Sequence, residues 1–150
     1  PHTDPNSRGA FHGLTLKHGR EHLFRAAIEG VAFGSELILE SMRTNGFFPE
    51  SIVVSGGATH SELWLQIHSD VSNLPLILTK NPDAPLLGCA ILAAVGAEIY
   101  ENIPTAVEKM VQFDRVIEPN SQVNTEYQPF YEAYKASYVG LRNIRNNLEN

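Results

Sequence analysis

The sequence predicts an α/β fold in which parallel strands are flanked by helices and a long helix closes the chain. Two short aliphatic runs, at 51–55 and 76–79, are each followed by a helical pattern. Strands that alternate with helices indicate right-handed crossovers and a parallel sheet. With 43% hydrophobic and 19% charged residues, the 150-residue chain has enough apolar surface for one domain with a core.

The first long element is a helix, predicted over residues 18–44, after a short strand or extended loop at 10–16. Asn45-Gly46 supplies the stop signal. Gly30 and Gly34 lie one turn apart inside the helix, and a helical glycine costs about 1 kcal/mol. We therefore expect another element to approach the helix closely at these glycines. The apolar positions that define the helical spacing are Leu23, Ala27, Val31, Ile38 and Met42.

The predicted sheet begins at 51–55, a compact β-branched strand that would be buried on both faces in a parallel sheet. A turn at 56–58 follows, and then a helix at 61–72, with Ser61 or Thr59 as its cap. The second strand is predicted at 76–79. The helix at 61–72 is expected to turn four side chains inward: Leu63, Trp64, Ile67 and Val71.

The second half of the chain is mostly helical. A turn at 81–85 leads into a helix at 86–100, in which Pro85 takes a permitted first-turn position. The uncharged apolar stretch of this helix has the length of a buried core helix, and Cys89 within it is expected to be a buried, inert thiol. The remaining predictions are a short helix at 104–111, an irregular segment at 116–119 and a final helix at 121–148.

Four tyrosines repeat along the final helix at helical spacing. Aromatic side chains in this pattern usually dock a terminal helix and leave their hydroxyls near the rim of the interface. A base-stacking role is the less expected alternative, because sites of that kind combine aromatic with several basic side chains. The stripe consists of Tyr127, Tyr131, Tyr134 and Tyr138.

Charge and cysteine content exclude several classes of protein. The formal net charge is −6 and no run of Lys or Arg occurs, which argues against a nucleic-acid partner. A single cysteine excludes a disulfide framework and fits a reducing cytoplasm. No signal peptide or membrane-spanning stretch is recognisable. Because the chain opens on Pro1 and predicts a thin sheet for so many helices, we expect it to be part of a longer protein.

The strongest local motif is a strand that runs directly into a double-glycine turn and then a helix, at residues 52–59. Two glycines lack Cβ atoms, so a flat ligand can approach the backbone closely. The start of the next helix offers free N–H groups, and this end of a parallel strand is where open α/β sheets bind ligands. The alternative interpretation is a tight turn with no ligand.

Other candidate sites are weaker. His18 and His22 form an H-x-x-E-H pattern that some metalloproteases use, but no third metal ligand is evident and a polar helix start is the favoured explanation. His60 adjoins the glycine turn, whereas surface solvation is expected for both His60 and His68. No pair of carboxylates has the setting of a general base, so the base of any enzyme containing this chain lies elsewhere.

Several segments together resemble the FGGY family of carbohydrate kinases. Residues 4–15, DPNSRGAFHGLT, are similar to the family's D-P-x-A-R-G…G-L-T segment, with Ser7 where alanine is usual. Residues 9–29 resemble the second family signature. Residues 53–64, VVSGGATHSELW, look like the family's adenosine motif, and residues 83–92 resemble the segment that follows it. The resemblance covers roughly residues 4–120.

The resemblance implies the later part of a ribonuclease-H-like, actin-type ATPase domain that spans residues 1–150. It implies an ATP-dependent sugar kinase, for which pentuloses such as ribulose or xylulose are the favoured substrates. Mg²⁺ would be held through the phosphates of ATP and through N-terminal parts of the kinase that this sequence does not include. Gly56, Gly57 and Ala58 would lie against adenine and ribose, and Ser61 stands where some members place a base-binding asparagine. Catalytic and most sugar-binding residues would lie upstream. A cytoplasmic homodimer of the complete protein is compatible with this resemblance, and a non-catalytic interaction module is the alternative.

Overall fold

The computed structural model describes residues 9–148, so the predicted D-P-x-S-R motif at 4–8 lies outside the described residues. Five helices and three strands form the described part of the chain, and a short 3₁₀ turn at Gly57–His60 joins the first strand to the second helix. The elements are α1 Arg20–Thr44, β1 Ile52–Val54, α2 Glu62–Ser72, β2 Leu76–Thr79, α3 Ala84–Gly96, α4 Ile103–Met110, β3 Phe113–Ile117 and α5 Ser121–Leu148.

The sheet is mixed rather than wholly parallel. Its order is β1-β2-β3, with β1 and β2 parallel and β3 antiparallel to β2. The prediction of irregular structure at 116–119 is therefore wrong, because β3 reaches Ile117. This strand carries the adjacent charges Asp114 and Arg115 and is largely exposed, so its sequence lacks the apolar alternation by which a half-buried strand is recognised. Its pairing with Leu76 and Ile77 is what makes it a strand.

Helix α2 lies between the sheet and a layer made by α1 and α5. On the sheet side Leu65 is fully buried against Leu76 and Leu78. On the other side Ile67 and Val71 pack into the larger cluster with α1 and α5. Of the four side chains predicted to point inward, Leu63 is the exception at 44% exposed, because Leu65 occupies the inner face. The helix that follows the glycine turn is thus fixed from both sides.

The tyrosine stripe docks α5 onto α1, as predicted. The Phe33 ring lies within 6 Å of the rings of Tyr127, Tyr131 and Tyr134, between centroids. Gly34 provides the expected close approach, since a Cβ built there would lie 3.3 Å from the hydroxyl of Tyr134. Gly30 does not, because no heavy atom lies within 4 Å of its Cβ position. It lines a groove of about 710 Å³ between α1, α5 and residues 9–12.

Polar contacts fasten the rim of the α1–α5 interface. The hydroxyl of Tyr127 donates to Glu29 at 3.0 Å, and the Arg25 guanidinium donates to Glu29 at 2.8 Å and to that hydroxyl at 3.1 Å. One turn further along, the hydroxyl of Tyr131 donates to Glu40 at 2.6 Å. The hydroxyls therefore sit at the rim, where the sequence placed them.

Several predicted core positions are exposed. Val53 of β1 is 59% exposed, so the strand is not buried on both faces. In α3 only Ile91 is buried, and Cys89 is exposed rather than buried. No other part of residues 9–148 buries these positions, and their apolar composition could not show this in advance. None of the helices in this described part combines the length and apolarity needed to span a membrane.

Candidate functional site

The carboxyl ends of the two parallel strands meet at one edge of the sheet. β1 ends at Val54 and leads into the glycine turn, and β2 ends at Thr79 and leads into a loop that precedes α3. The backbone N–H of Gly56 donates to the carbonyl of Pro82 at 2.8 Å, which joins the turn to the loop. The sequence predicted a ligand site at this edge, and the structure brings both connections together there.

The glycine turn has a defined backbone shape. Gly56 has a φ of +83°, in the left-handed region that glycine adopts without a steric penalty. Its carbonyl accepts the hydroxyl of Thr59 at 2.7 Å and the backbone N–H of the same residue at 3.1 Å. Both polar backbone groups of Gly56 are therefore bonded, which fixes the peptide that leads into Gly57.

The space beside the turn is open. A Cβ atom built at Gly56 or at Gly57 would meet no heavy atom within 4 Å, and Gly57 is exposed. Ala58, which follows, is half-buried. A flat group could thus lie against the bare backbone without displacing any described part of the chain. The surface is open rather than enclosed, so a ligand bound here would be covered on one side only.

Ser61 caps α2, as one of the two predicted candidates. Its Oγ accepts the backbone N–H of Trp64 at 3.3 Å, and its own N–H donates to the carbonyl of Ala58. The side chain is exposed. A serine hydroxyl has a second lone pair and a proton to donate, so capping leaves Ser61 able to bond a ligand.

Within α2, Trp64 stacks on His68 with 4.6 Å between ring centroids. The Nδ1 atom of His68 lies 2.9 Å from the carbonyl of Trp64, so it acts as the donor. Burial lowers the pKa of His68, which favours the neutral ring. Surface solvation was thus a wrong prediction for His68, whereas His60 is exposed as expected.

Sequence reasoning missed the loop after β2 as part of the site. The hydroxyl of Thr79 donates to the carbonyl of Asn81 at 2.8 Å, and the Asn81 side chain accepts the N–H of Asp83 at 2.9 Å. These bonds shape the loop that carries Pro82. The run Asn-Pro-Asp is a turn signal that indicated the loop but not which strand end it would meet.

The H-x-x-E-H pattern closes the start of α1. The rings of His18 and His22 meet edge to face, 5.3 Å apart. Each Nδ1 atom accepts a backbone N–H, from Thr15 at 2.8 Å and from Gly19 at 3.1 Å. Within residues 9–148 no group of three His, Cys, Asp or Glu side chains is arranged to hold a metal ion. The geometry favours the helix-start interpretation over a zinc site.

Comparisons with known proteins point to one family. The sequence profile of the FGGY family of carbohydrate kinases, C-terminal domain, matches residues 1–97. A xylulose kinase of Staphylococcus epidermidis is 33% identical over 148 residues, which is 99% of this chain and 30% of that protein. A ribulokinase of Mycolicibacterium smegmatis is 36% identical over 132 residues, which is 87% of this chain and 23% of that protein.

A solved structure shares the fold. The crystal structure of the xylulose kinase from Rhodospirillum rubrum superposes with a TM-score of 0.81 at 31% identity, over 94% of this chain and 29% of that one. The actin-like assignment of the α/β fold is thereby confirmed. The chain spans less than a third of the length of these relatives.

Proposed function

Because the chain belongs to the FGGY family of carbohydrate kinases, we propose that it forms the adenosine-binding part of an enzyme that transfers the γ-phosphate of ATP to a sugar hydroxyl. The observation that carries the proposal is the open glycine turn at the carboxyl edge of β1, where a flat group meets bare backbone. Residues 1–150 would then act as part of the C-terminal domain of a larger kinase.

In this proposal the turn holds adenine and ribose against its backbone at Gly56, Gly57 and Ala58. The absence of side chains at the two glycines leaves room for close contact. Ser61 bonds the base directly or through a water molecule, since its hydroxyl is shorter than an asparagine amide. Trp64 is half-buried against the cluster of α1 and α5 and so helps to hold the start of α2 in place.

Mg²⁺ fits this chain only as a partner of the nucleotide. The residues at 9–148 include no cluster of three carboxylates or other metal-binding side chains. We expect the magnesium ion to be carried by the phosphates of the nucleotide and by other parts of the kinase. When bound, the ion neutralises charge on the phosphates during transfer. The chain's own contribution is to orient the nucleoside and to form one wall of the cleft.

For the sugar, a pentulose such as xylulose or ribulose is the proposed substrate class. The relatives whose names support it are the xylulose kinases and the ribulokinase. The single cysteine supports a reducing, cytoplasmic setting. A homodimer of the complete enzyme stays a prediction. The 150-residue chain alone is expected to release no ADP in the presence of xylulose or ribulose, because its sequence offers no candidate general base and no phosphate loop.

The nucleotide site is tested by titrating MgADP into the ¹⁵N-labelled chain and following backbone amide shifts. We expect saturable shifts at Gly56, Gly57 and Ala58, with weak affinity because one side of the ligand stays exposed. The Gly57→Val variant should lose them, since a β-branched side chain fills the space where adenosine lies. Gly57 has no positive φ, so this substitution tests space rather than backbone strain.

A matched control is Gly140→Val, at an exposed glycine of α5 that also has no heavy atom near its Cβ position. It should bind MgADP like the unsubstituted chain. Both variants must first show the thermal unfolding midpoint of the parent without ligand. If folded Gly57→Val binds MgADP unchanged, the turn is a structural corner and the proposed site is wrong. If the parent shows no shifts at the turn, the non-catalytic module is favoured.

A further inference from the structure

Gly56 is held from two directions. Its N–H donates to the carbonyl of Pro82 in the loop after β2, at 2.8 Å. Its carbonyl accepts the hydroxyl of Thr59 at 2.7 Å, the shorter of its two bonds from that residue. Thr59 itself is half-buried. One side chain in the turn therefore restrains Gly56, the residue of the turn whose φ is positive, at +83°.

Restraint matters at this position because two adjacent glycines are unusually free. Glycine loses more conformational entropy on ordering than any other residue. If the turn were ordered only when a ligand arrives, that cost would be subtracted from the binding free energy. A bond that already fixes the Gly56 carbonyl removes part of the cost in advance.

We propose that Thr59 is a positioning residue for nucleotide binding, whose hydroxyl holds the Gly56 carbonyl so that the turn presents its open face to adenosine. The inference rests on the proposed nucleotide site and goes beyond it, because Thr59 acts through Gly56 and need not touch the ligand.

The neighbouring loop is restrained in the same manner, which supports this assignment. The hydroxyl of Thr79 donates to the carbonyl of Asn81 at 2.8 Å, two residues beyond the end of β2. The Asn81 side chain then accepts the N–H of Asp83 at 2.9 Å. Pro82, between them, offers the carbonyl that Gly56 binds. A threonine hydroxyl thus orders each of the two strand ends that form the site edge.

The test compares variants of the 150-residue chain by their dissociation constants for MgADP. Thr59→Val has nearly the shape of threonine and lacks the hydroxyl, whereas Thr59→Ser keeps it. We expect Thr59→Val to weaken binding about 3- to 10-fold, which corresponds to about 0.7–1.4 kcal/mol. Thr59→Ser should bind within about twofold of the parent, because the bond to Gly56 can re-form.

Thr125→Val is the matched control. Thr125 also donates its hydroxyl to a backbone carbonyl, that of Ser121 at 3.0 Å, but lies on α5 away from the turn. It should cost similar stability and leave the MgADP dissociation constant unchanged. Binding is measured well below the melting temperature of each variant, so a purely structural loss at Thr59 would not change the constant. Thr59→Ala, which also lacks the hydroxyl, serves if the valine variant does not fold.

Two results separate failure of this inference from failure of the proposed site. If the hydroxyl-free variants bind like the parent while Gly57→Val does not, Thr59 has only a structural role and the nucleotide site stands. If Gly57→Val also binds like the parent, the site itself is wrong. Failure of Thr59→Ser to restore affinity would show that the hydroxyl is not the cause, and would overturn the inference.

Discussion

Helices α2 and α3 occupy equivalent places in the chain, each after a parallel strand, yet their burial is opposite. α3 has no charged side chain over its 13 residues and buries only Ile91. α2 carries Glu62, His68 and Asp70 and buries six residues, among them Leu65 at 0% exposure and Ser69 at 0%. The more apolar helix is therefore the more exposed one.

The difference lies in the partners that each helix meets. α2 is covered on one side by the sheet and on the other by α1 and α5. α3 packs mainly on the short helix α4 and leaves Leu86 at 69% and Leu92 at 60% exposed. Apolar composition indicates that a helix packs against another surface. It does not indicate whether that surface is formed by residues 9–148.

The largest expected effect is at Leu65. Replacing it by alanine should lower the free energy of unfolding by about 2–5 kcal/mol, because it leaves a cavity between α2 and the sheet. Leu92→Ala on α3 is the comparison and should change it by about 0.5 kcal/mol or less. Urea unfolding of both variants measures the contrast. Equal losses would mean that α3 is covered in solution, which breaks the comparison.

A smaller loss is expected where α5 is fastened to α1. Tyr131→Phe removes the 2.6 Å bond to Glu40 while keeping the buried ring, and should cost about 1 kcal/mol. Tyr100→Phe is the control, since that hydroxyl makes no hydrogen bond within residues 9–148, and it should be nearly neutral. Thermal unfolding at matched pH compares the two. A neutral Tyr131→Phe would show that the bond to Glu40 does not help to dock α5.

The features that the sequence predicted correctly depend on neighbours along the chain. Ser61 was expected as a cap because a hydroxyl before a helix satisfies its first N–H groups, and it accepts that of Trp64. Pro85 lies in the first turn of α3, and the α5 stripe docks as helical spacing requires. Each of these predictions depends only on residues that are close together in the sequence.

The features that were missed depend on residues distant in sequence. β3 is a strand because it pairs with β2, some 40 residues earlier in the chain at Ile77 and Val116. At the site, the bond from Thr59 to Gly56 is local, but the bond from Gly56 to Pro82 exists only once β1 and β2 are in register. The glycine turn was therefore predictable, whereas the loop beside it was not.

The two glycines of α1 provide a comparison within a single helix. Gly30→Ala adds a methyl group in open space and gains helix propensity, so it should stabilise the chain by about 0.5–1 kcal/mol. Gly34→Ala gains the same propensity but places its Cβ 3.3 Å from the Tyr134 hydroxyl, so the ring must move. Gly34→Ala should therefore be the less stable of the two in thermal unfolding. Equal stability would indicate that Tyr134 can move away from residue 34 at no cost in the free energy of unfolding.

The smallest expected effect, and the one that depends most on pH, is at Glu36, a buried residue of α1. Burial raises the pKa of this carboxyl, and the nearby Glu40 adds to the rise, while the Arg43 guanidinium and Lys135 oppose it. Its Oε2 atom is buried and has no hydrogen-bond partner among the described residues. A raised folded-state pKa means that the folded chain binds more protons, so the stability contributed by Glu36 falls as pH rises through the interval above the unfolded value.

Glu40 provides the opposite sign in the same helix. Its bond from Tyr131, together with the ammonium of Lys135, lowers its pKa, so its contribution is present at neutral pH and is lost as pH falls through the folded value. Relative to the parent, Glu36→Gln should therefore gain stability as the pH rises above about 4, the ordinary value of an unfolded carboxyl. Glu40→Gln should be less stable than the parent at neutral pH, and this difference should shrink as the pH falls below about 4. Urea unfolding from about pH 3 to about pH 7 measures both. If the free energies of unfolding of the two variants change with pH in the same way, Arg43 balances the burial of Glu36. The two carboxyls then do not differ in their effect on stability.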